Sequence, residues 1–209
     1  MATSKLFALS RASPDDLPEL ARLQYRCFPP VVREIFMGCK TEDDLPRLVR
    51  RHEKLMQQDS SDVWIKVTDQ TTGRVVAASN WKVYVNGPVP ASADEEPPEW
   101  LEGEALEKSR KIHRALNEAR RKANPGGFVH LHICYTDPDY RRQGAGGLMM
   151  QWGCDLADQL FLPAWIEASP EGNHLYRRHG FYDFSKVVGE LEGTHMRRDA
   201  RRTVIEGGK

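Results

Sequence analysis

The sequence predicts a domain of the α/β (α+β) class, in which a mixed β-sheet is covered by helices. Segments with strand and helix patterns alternate in the order βα(α)ββ(α)βαβαββ, which is typical of such sheets. Hydrophobic residues make up 40% of the 209 residues, so the composition suits a buried core. This length fits one domain, with or without an insertion, and we find no internal repeat.

The first strand and the first two helices are predicted from local signals. Leu6–Leu9 is a short apolar run with the pattern of a strand. Ser13–Asp16 predicts a helix start, because an N-cap serine is followed by a proline in the first turn and by two acids at the positive helix end. Pro29-Pro30 ends that helix. A second helix is predicted from near Thr41 towards Met56.

A hairpin and a long excursion follow. Val63–Thr68 and Val75–Val85 are rich in β-branched and aromatic residues, and the polar, glycine-containing segment between them predicts a hairpin turn. Residues 86–127 then begin as a proline-rich surface loop and continue as a charged helix. We interpret residues 86–127 as an inserted loop and helix between two strands of one sheet.

The rest of the chain alternates strands and helices. The predicted elements, in order, are a strand at Phe128–Thr136, a turn at Asp137–Tyr140, a helix at Gly146–Leu160, a strand at Pro163–Ala168, a helix at Glu171–His179, and strands at Phe181–Val188 and His195–Arg198.

Charge gives no reason to expect nucleic acid or a membrane as a partner. Thirty basic and thirty acidic residues cancel, so the molecule has no net field to attract either of them. Arg197-Arg198 and Arg201-Arg202 are expected to be a solvated tail. Asp94–Glu96 and the acids that follow form an acidic patch, for which a solvated loop is the expected structure and a role in attracting a cationic amine is the alternative.

Cysteine usage and hydropathy predict a protein of a reducing, cytoplasmic compartment. The four cysteines include no C-x-x-C and no histidine pairing at ligand spacing, so we expect no metal. Met1–Ser10 has no apolar run of signal-peptide length, and no stretch of the chain approaches the 18 apolar residues of a membrane span.

The segment from Tyr140 to Leu148 carries most of the functional information. A strand leads into a glycine-rich turn and then into a helix, whose first N–H groups are unpaired and point at a potential anion. A pyrophosphate fits such a site, although a turn eased by glycine is the simple alternative. A Walker A ending is absent, and a dinucleotide fingerprint would require glycine where Met149 stands.

Two motifs in this half resemble those of the GNAT superfamily of acetyl-CoA-dependent N-acetyltransferases. The first is Arg141-x-x-Gly144-x-Gly146, which follows a strand and a turn. The second is Leu175–Phe181, which is similar to the L-Y-x-x-x-G-F ending of the family. The resemblance implies a single GNAT domain over residues 1–209, with the insertion at about 86–127 as a departure.

This resemblance implies a mostly antiparallel central sheet that splays apart at the strands 128–136 and 163–168, and acetyl-CoA as the co-substrate. Pantetheine would enter the gap along one backbone edge, and the amides of the glycine-rich loop would hold the pyrophosphate. Ser169 stands where many members carry an asparagine that contacts the cofactor. The cofactor-binding residues implied are Cys134, Tyr135, Thr136, Arg141, Arg142, Gln143, Gly144, Ala145, Gly146 and Gly147.

Two histidines are candidates for the base that deprotonates the acceptor amine. His130 and His132 share one face of a strand, and a neutral imidazole can accept a proton near pH 7. The His-Leu-His sequence resembles that of arylalkylamine N-acetyltransferases, where both histidines are thought to relay this proton. Structural histidines are the alternative, and Glu167 is the other candidate base.

Tyr176 is the candidate acid. In the family, a tyrosine at this position protonates the leaving CoA thiolate, whereas packing on the last helix is the alternative role. The predicted function is therefore direct transfer of an acetyl group from acetyl-CoA to a primary amine of a small molecule. A protein or peptide N-acetyltransferase and a non-catalytic CoA-binding module are the alternatives, and the sequence leaves acyl-chain preference and oligomeric state open.

Overall fold

The computed structural model describes residues 6–87, 89, 95–187 and 192–201, and these residues contain one seven-stranded sheet in the order β1-β2-β3-β4-β5-β7-β6. Neighbouring strands are antiparallel except β4 and β5, which are parallel. The predicted class, a mixed and mostly antiparallel sheet with helices, is confirmed. The strands are β1 (Phe7–Arg11), β2 (Asp62–Asp69), β3 (Val75–Tyr84), β4 (Phe128–Thr136), β5 (Ala164–Ala168), β6 (Tyr182–Lys186) and β7 (Thr194–Arg198).

Helices cover both faces of this sheet. On one face Leu131 of β4 and Ile166 of β5 pack with Met150 of α5, whereas on the other face Glu167 contacts Arg120 of α4. None of the helices among the described residues has the length and apolar character needed to span a membrane. The helices are α1 (Leu17–Cys27), α2 (Pro30–Val32), α3 (Leu45–Gln58), α4 (Gly103–Ala123), α5 (Ala145–Gln159) and α6 (Asn173–Arg178).

The predicted cap signals act where the sequence analysis expects them. The Ser13 amide donates to Asp16 Oδ2 at 2.8 Å, which closes a capping box before α1. The first turn, Pro14–Asp16, is a 3₁₀ helix, so α1 itself begins at Leu17. After α2 the chain forms a π-helical turn at Arg33–Met37, which the sequence analysis did not predict.

Strands β4 and β5 part soon after they meet, as the family resemblance implies. Their pairing runs only from Val129 to Leu131 on β4. On its other side β4 stays paired with β3 up to Thr136, with a register shift that makes His132 an extra residue on β4. The second half of β4 therefore has one backbone edge without a partner strand in the part of the chain that the structure describes.

Two arginines near the C-terminus correct one prediction. Arg198 is buried and donates from both terminal nitrogens to Asp158 at 2.7 Å, and Arg197 Nη1 donates to the Ala123 carbonyl at 2.7 Å. The expectation of a solvated tail is wrong for these two residues, because β7 carries both of them into the fold. Some predicted positions lie outside the described residues: Arg202, Val188 of the sixth strand, and 88 and 90–94 of the insertion.

Candidate active site

The turn after β4 is fixed by a buried carboxylate. Asp137 is fully buried, and its Oδ1 accepts a hydrogen bond from Arg26 Nη2 at 2.9 Å and one from the Asp139 amide at 3.1 Å. A 3₁₀ turn at Pro138–Tyr140 follows and packs the Tyr140 ring into the core. The loop that comes next therefore starts from a defined position at the edge of the sheet.

This loop places backbone amides at the start of α5. Arg142 and Gly144 adopt left-handed backbone angles, with φ of 58° and 105°. Alternation of left-handed and right-handed residues turns successive N–H groups towards a common concave side, which is a geometry that binds anions. Gly144 is exposed, and α5 begins directly after it with the positive end of its dipole.

The side chains of several predicted cofactor residues are occupied by contacts within the fold. Arg141 Nε donates to the Thr136 carbonyl at 3.3 Å, and Gln143 Nε2 donates to the Asp139 carbonyl at 2.9 Å, so both side chains brace the loop. The Tyr135 hydroxyl donates to a carbonyl of α1 at 2.9 Å and belongs to the core. Ala145 is also buried.

The gap between β4 and β5 is bounded by the loop on one side and α6 on the other. A β-carbon added at Gly146 would lie 3.1 Å from Leu175 Cδ2 and 3.9 Å from Thr136 Oγ1. Asn173 Oδ1 is buried and has no hydrogen-bond partner among the described residues. The strand edge is unpaired, a glycine lies at the point of closest approach, and one buried acceptor is unsatisfied. These features fit an extended, amide-containing group such as pantetheine. Ser169 instead stabilises the turn before α6, where its hydroxyl accepts from the Gly172 amide at 3.3 Å.

Tyr176 and Cys134 lie in the same apolar cluster beside this gap. Burial raises the pKa of Tyr176 well above its ordinary value of 10.0, so its hydroxyl keeps its proton at neutral pH. That hydroxyl has no hydrogen-bond partner within the described ranges. Burial also raises the pKa of Cys134 to about 12, so it remains a thiol and a weak nucleophile.

A network of five polar side chains lies on the α4 face of the sheet, where β4 and β5 part. His132 Nδ1 is 2.9 Å from Glu95 Oε1, and His130 Nε2 is 2.8 Å from Glu167 Oε2. The imidazole centroids are 5.7 Å apart, so the predicted shared position of the histidine pair is confirmed. Arg120 links the two carboxylates, with Nη1 at 2.9 Å from Glu95 Oε1 and Nε at 3.3 Å from Glu167 Oε1.

The charges in this network hold one another in place. Burial alone would raise the pKa of Glu95 and of Glu167, but Arg120 and the histidines outweigh it and keep both values below the ordinary range. Both carboxyl groups are therefore ionised. Burial, reinforced by the nearby guanidinium, lowers the pKa of His130, so this imidazole is neutral at pH 7.

Two expectations need correction at this network. Glu95 was expected in a solvated acidic loop, yet only 14% of its side chain is exposed and it contacts the histidines. Asp94, its neighbour in the predicted acidic patch, lies outside the described residues. Glu167 was a candidate base, but a carboxylate with a strongly lowered pKa is a poor proton acceptor at neutral pH. Its position beside His130 suits it to orient that ring.

Ligand atoms of Glu95, His130 and His132 lie within 4.8 Å of one another, close enough for one cation. However, Arg120 Nη1 contacts the Glu95 oxygen that also contacts the histidines. This fixed positive charge would oppose a divalent ion at the same oxygen. We therefore treat the cluster as a hydrogen-bonded network rather than a set of metal ligands.

Sequence reasoning missed Glu95 and Arg120 as members of the site. Arg120 did leave a signal, because it follows His113 and Leu116 at helical spacing, and these residues form the buried stripe of α4 together with Ala123. Glu95 left none, because three consecutive acids in a proline-rich segment look the same whether one of them is buried or not.

Comparison with known proteins supports the family resemblance. Residues 110–183 match the family described as "Acetyltransferase (GNAT) domain". Residues 110–183 therefore match the GNAT family of acetyltransferases. The match covers α5, the loop before it and Tyr176, and it also includes part of α4, β4 and β5. It confirms the predicted resemblance to this superfamily for this part of the chain, and it supports an acyltransferase as the class of enzyme.

One relative of this chain supports the same assignment. An uncharacterized N-acetyltransferase of Schizosaccharomyces pombe is 34% identical over 58 residues, which cover 28% of this chain and 25% of the relative. The chain therefore matches only about a quarter of that relative's length.

Solved structures of acetyltransferases share the fold. A structure described as histone acetyltransferase HPA2 and related acetyltransferase, from Corynebacterium glutamicum, superposes with a TM-score of 0.64 at 16% identity and covers 95% of this chain and 99% of its own. Mosquito arylalkylamine N-acetyltransferase like 5b gives a TM-score of 0.62 at 16% identity, over 93% of this chain and 100% of its own. At this level of identity the likeness concerns the fold.

Proposed function

We propose that this protein transfers an acetyl group from acetyl-CoA directly to the primary amine of a small molecule. The observation that carries the proposal is the arrangement along β4. The first half of the strand holds His130 and His132 in a charged network, and its second half offers an unpaired edge that leads into the glycine-rich loop. The groups proposed for proton transfer and the backbone proposed to bind the co-substrate would thus lie on one rigid strand.

The loop and the strand edge would hold the co-substrate, which supplies the acetyl thioester. Amides from Arg142 to Gly147 would bind the pyrophosphate at the positive end of α5. The backbone from Cys134 to Thr136 would pair with the pantetheine amides, and Asn173 Oδ1 would accept a further hydrogen bond. The high pKa of the Cys134 thiol supports transfer without an acyl-cysteine.

The acceptor must lose a proton before it can attack, and the histidine pair would take that proton. The partly exposed His132 lies nearest to solvent, whereas His130 is fully buried behind it. The amine nitrogen then bonds to the acetyl carbon, and the bond from that carbon to sulfur breaks. Tyr176 would give its proton to the departing sulfur. The new amide nitrogen would release its remaining extra proton to solvent, from which Tyr176 recovers its own.

The network also favours a cationic acceptor. Glu95 and Glu167 are negative and Arg120 is positive, which leaves one negative charge in excess when both histidines are neutral. An ammonium group balances this charge. Glu95 contacts both histidines and is held by Asn117, so it occupies part of the space beside the two rings, which favours a small amine over a folded protein surface.

The remaining expectations complete the proposal. We regard residues 1–209 as a single GNAT domain in which 86–127 is an insertion between β3 and β4. A cytoplasmic location is supported by the four cysteines, which are all free. Neither nucleic acid nor a membrane is proposed as a partner.

The proposal is tested by release of CoA thiol from acetyl-CoA in the presence of chelator and a panel of acceptors. The panel contains an arylalkylamine, an aliphatic diamine, a free amino acid, and peptides with a free N-terminus or an internal lysine. We expect thiol release above the hydrolysis rate, with kcat/KM for one small amine exceeding that for every peptide by about tenfold or more. Faster acetylation of a peptide would contradict the small-molecule acceptor, and tight CoA binding with no turnover would indicate a binding module.

A further inference from the structure

The segment before α4 is held at several points, which gives Glu95 a defined position. The side chain of Asn117 brackets its backbone, with Nδ2 at 3.0 Å from the Glu95 carbonyl and Oδ1 at 3.3 Å from its amide. Arg51 Nη2 on α3 donates to the Glu96 carbonyl at 2.5 Å. Trp100 Nε1 donates to the Gly38 carbonyl at 2.8 Å. Glu95 therefore enters the site from a braced segment.

Contact with Glu95 favours one position for the proton of His132. An ionised carboxylate only accepts hydrogen bonds, and it lies 2.9 Å from Nδ1, so the neutral ring is favoured with its proton on Nδ1. Its Nε2 then keeps a free lone pair. His130 has the reverse arrangement, because its Nε2 contacts Glu167 and its Nδ1 has no hydrogen-bond partner among the described residues.

We propose that Glu95 is a positioning residue that holds His132 in the Nδ1–H tautomer, so that Nε2 of His132 is the atom that takes the proton from the acceptor amine. This inference rests on the proposed function and assigns separate roles within the histidine pair. His132 Nε2 gains the proton and the amine gains its lone pair, while the Nδ1–H···carboxylate contact stabilises the imidazolium that forms. His130 is fully buried and contacts Glu167, so it supports the site without taking the proton itself.

Other charged groups around His132 are consistent with this assignment. Burial lowers the pKa of His52 to about 3 and also lowers that of His113, so both rings are neutral. The carboxylate of Glu95 is then the negative group in direct contact with His132. The titratable and charged groups around His132 are Glu95 before α4, Arg120 and His113 on α4, His52 on α3, His130 on β4 and Glu167 on β5.

The experiment combines nitrogen NMR with kinetics on Glu95→Gln and Glu95→Asp. Long-range proton–nitrogen spectra of the resting protein report the tautomer of His132 without any substrate. We expect Nδ1–H in the wild type and in Glu95→Asp, and a mixture or the Nε2–H form in Glu95→Gln. With a saturating amine, Glu95→Gln should lower kcat about 10- to 100-fold, and it should shift the acid limb of the pH profile to lower pH. Because the substitution removes the excess negative charge of the network, KM for a cationic amine should rise as well. Glu95→Asp should recover most of the rate.

Glu96→Gln is the matched control, because Glu96 is the exposed neighbour of Glu95, and it should change neither the tautomer nor kcat. The assignment is overturned if His132 carries its proton on Nε2 in the wild type, or if Glu95→Gln leaves tautomer and kcat unchanged. A failure of the proposed function would look different, because the wild type would then turn over no amine while the tautomer result still stood.

Discussion

The glycine-rich loop and the histidine network are built in different ways, although both depend on β4. The loop is continuous in sequence, since the residues from Asp137 to Gly147 follow one another through a turn into α5. The network is dispersed: its five side chains come from β4, β5, α4 and the segment before α4. A continuous site is specified by local backbone geometry, whereas a dispersed site exists only when the sheet and the insertion have packed.

This contrast separates what can be changed in each region. A substitution in the loop should alter the approach of the co-substrate and leave the proton chemistry intact. A substitution in the network should alter proton transfer and leave co-substrate affinity intact, because none of its side chains lies on the loop. Variants in the loop, in the network and between the two should therefore separate effects on co-substrate affinity from effects on the rate of the reaction.

The largest effect is expected on acetyl-CoA affinity, from a substitution in the glycine-rich loop. Gly144→Asp places a carboxylate beside the proposed pyrophosphate, and a like charge at about 4 Å costs up to about 4 kcal/mol, so acetyl-CoA affinity should fall about 1000-fold. Calorimetry on the purified variant measures this directly. Gly73→Asp is the matched control, because Gly73 also has a positive φ and open space around it but lies in the hairpin turn between β2 and β3. Wild-type affinity in Gly144→Asp would show that the loop does not hold the pyrophosphate.

An intermediate effect is expected beside the gap, between the two regions. Tyr176→Phe keeps the buried ring but removes the proton that the raised pKa preserves, so kcat should fall about 10- to 1000-fold while acetyl-CoA affinity stays the same. Steady-state kinetics together with a binding isotherm separate the two quantities. Tyr182→Phe on the exposed strand β6 should leave both unchanged. An unaltered kcat in Tyr176→Phe would assign thiolate protonation to water or another group.

The same contrast explains how much could be predicted from sequence. The loop, β4 and the fold class follow from local signals: Phe128–Thr136 was predicted at its observed bounds, and α5 begins one residue earlier than expected. The histidine pair was also found, because residues two apart on a strand share a face. Glu95 and Arg120 were not found, since their roles depend on where a long insertion folds back onto the sheet. Burial of Arg198 escaped prediction for the same reason, because its partner Asp158 is distant in sequence.

The proton relay is the central claim, and the pH dependence of kcat at saturating acetyl-CoA and amine tests it most directly, with chelator present throughout. Removing the base by His132→Gln should lower kcat at neutral pH about 10- to 100-fold. The wild-type rate should rise with pH along an acid limb that belongs to the coupled histidine pair, because a protonated imidazole cannot act as the base. His174→Gln, on the exposed side of α6, should keep the wild-type profile. In His132→Gln the acid limb should vanish, leaving a rate that climbs towards the pKa of the amine and is rescued at high pH. A wild-type pH profile in His132→Gln would contradict the relay and make the histidines structural.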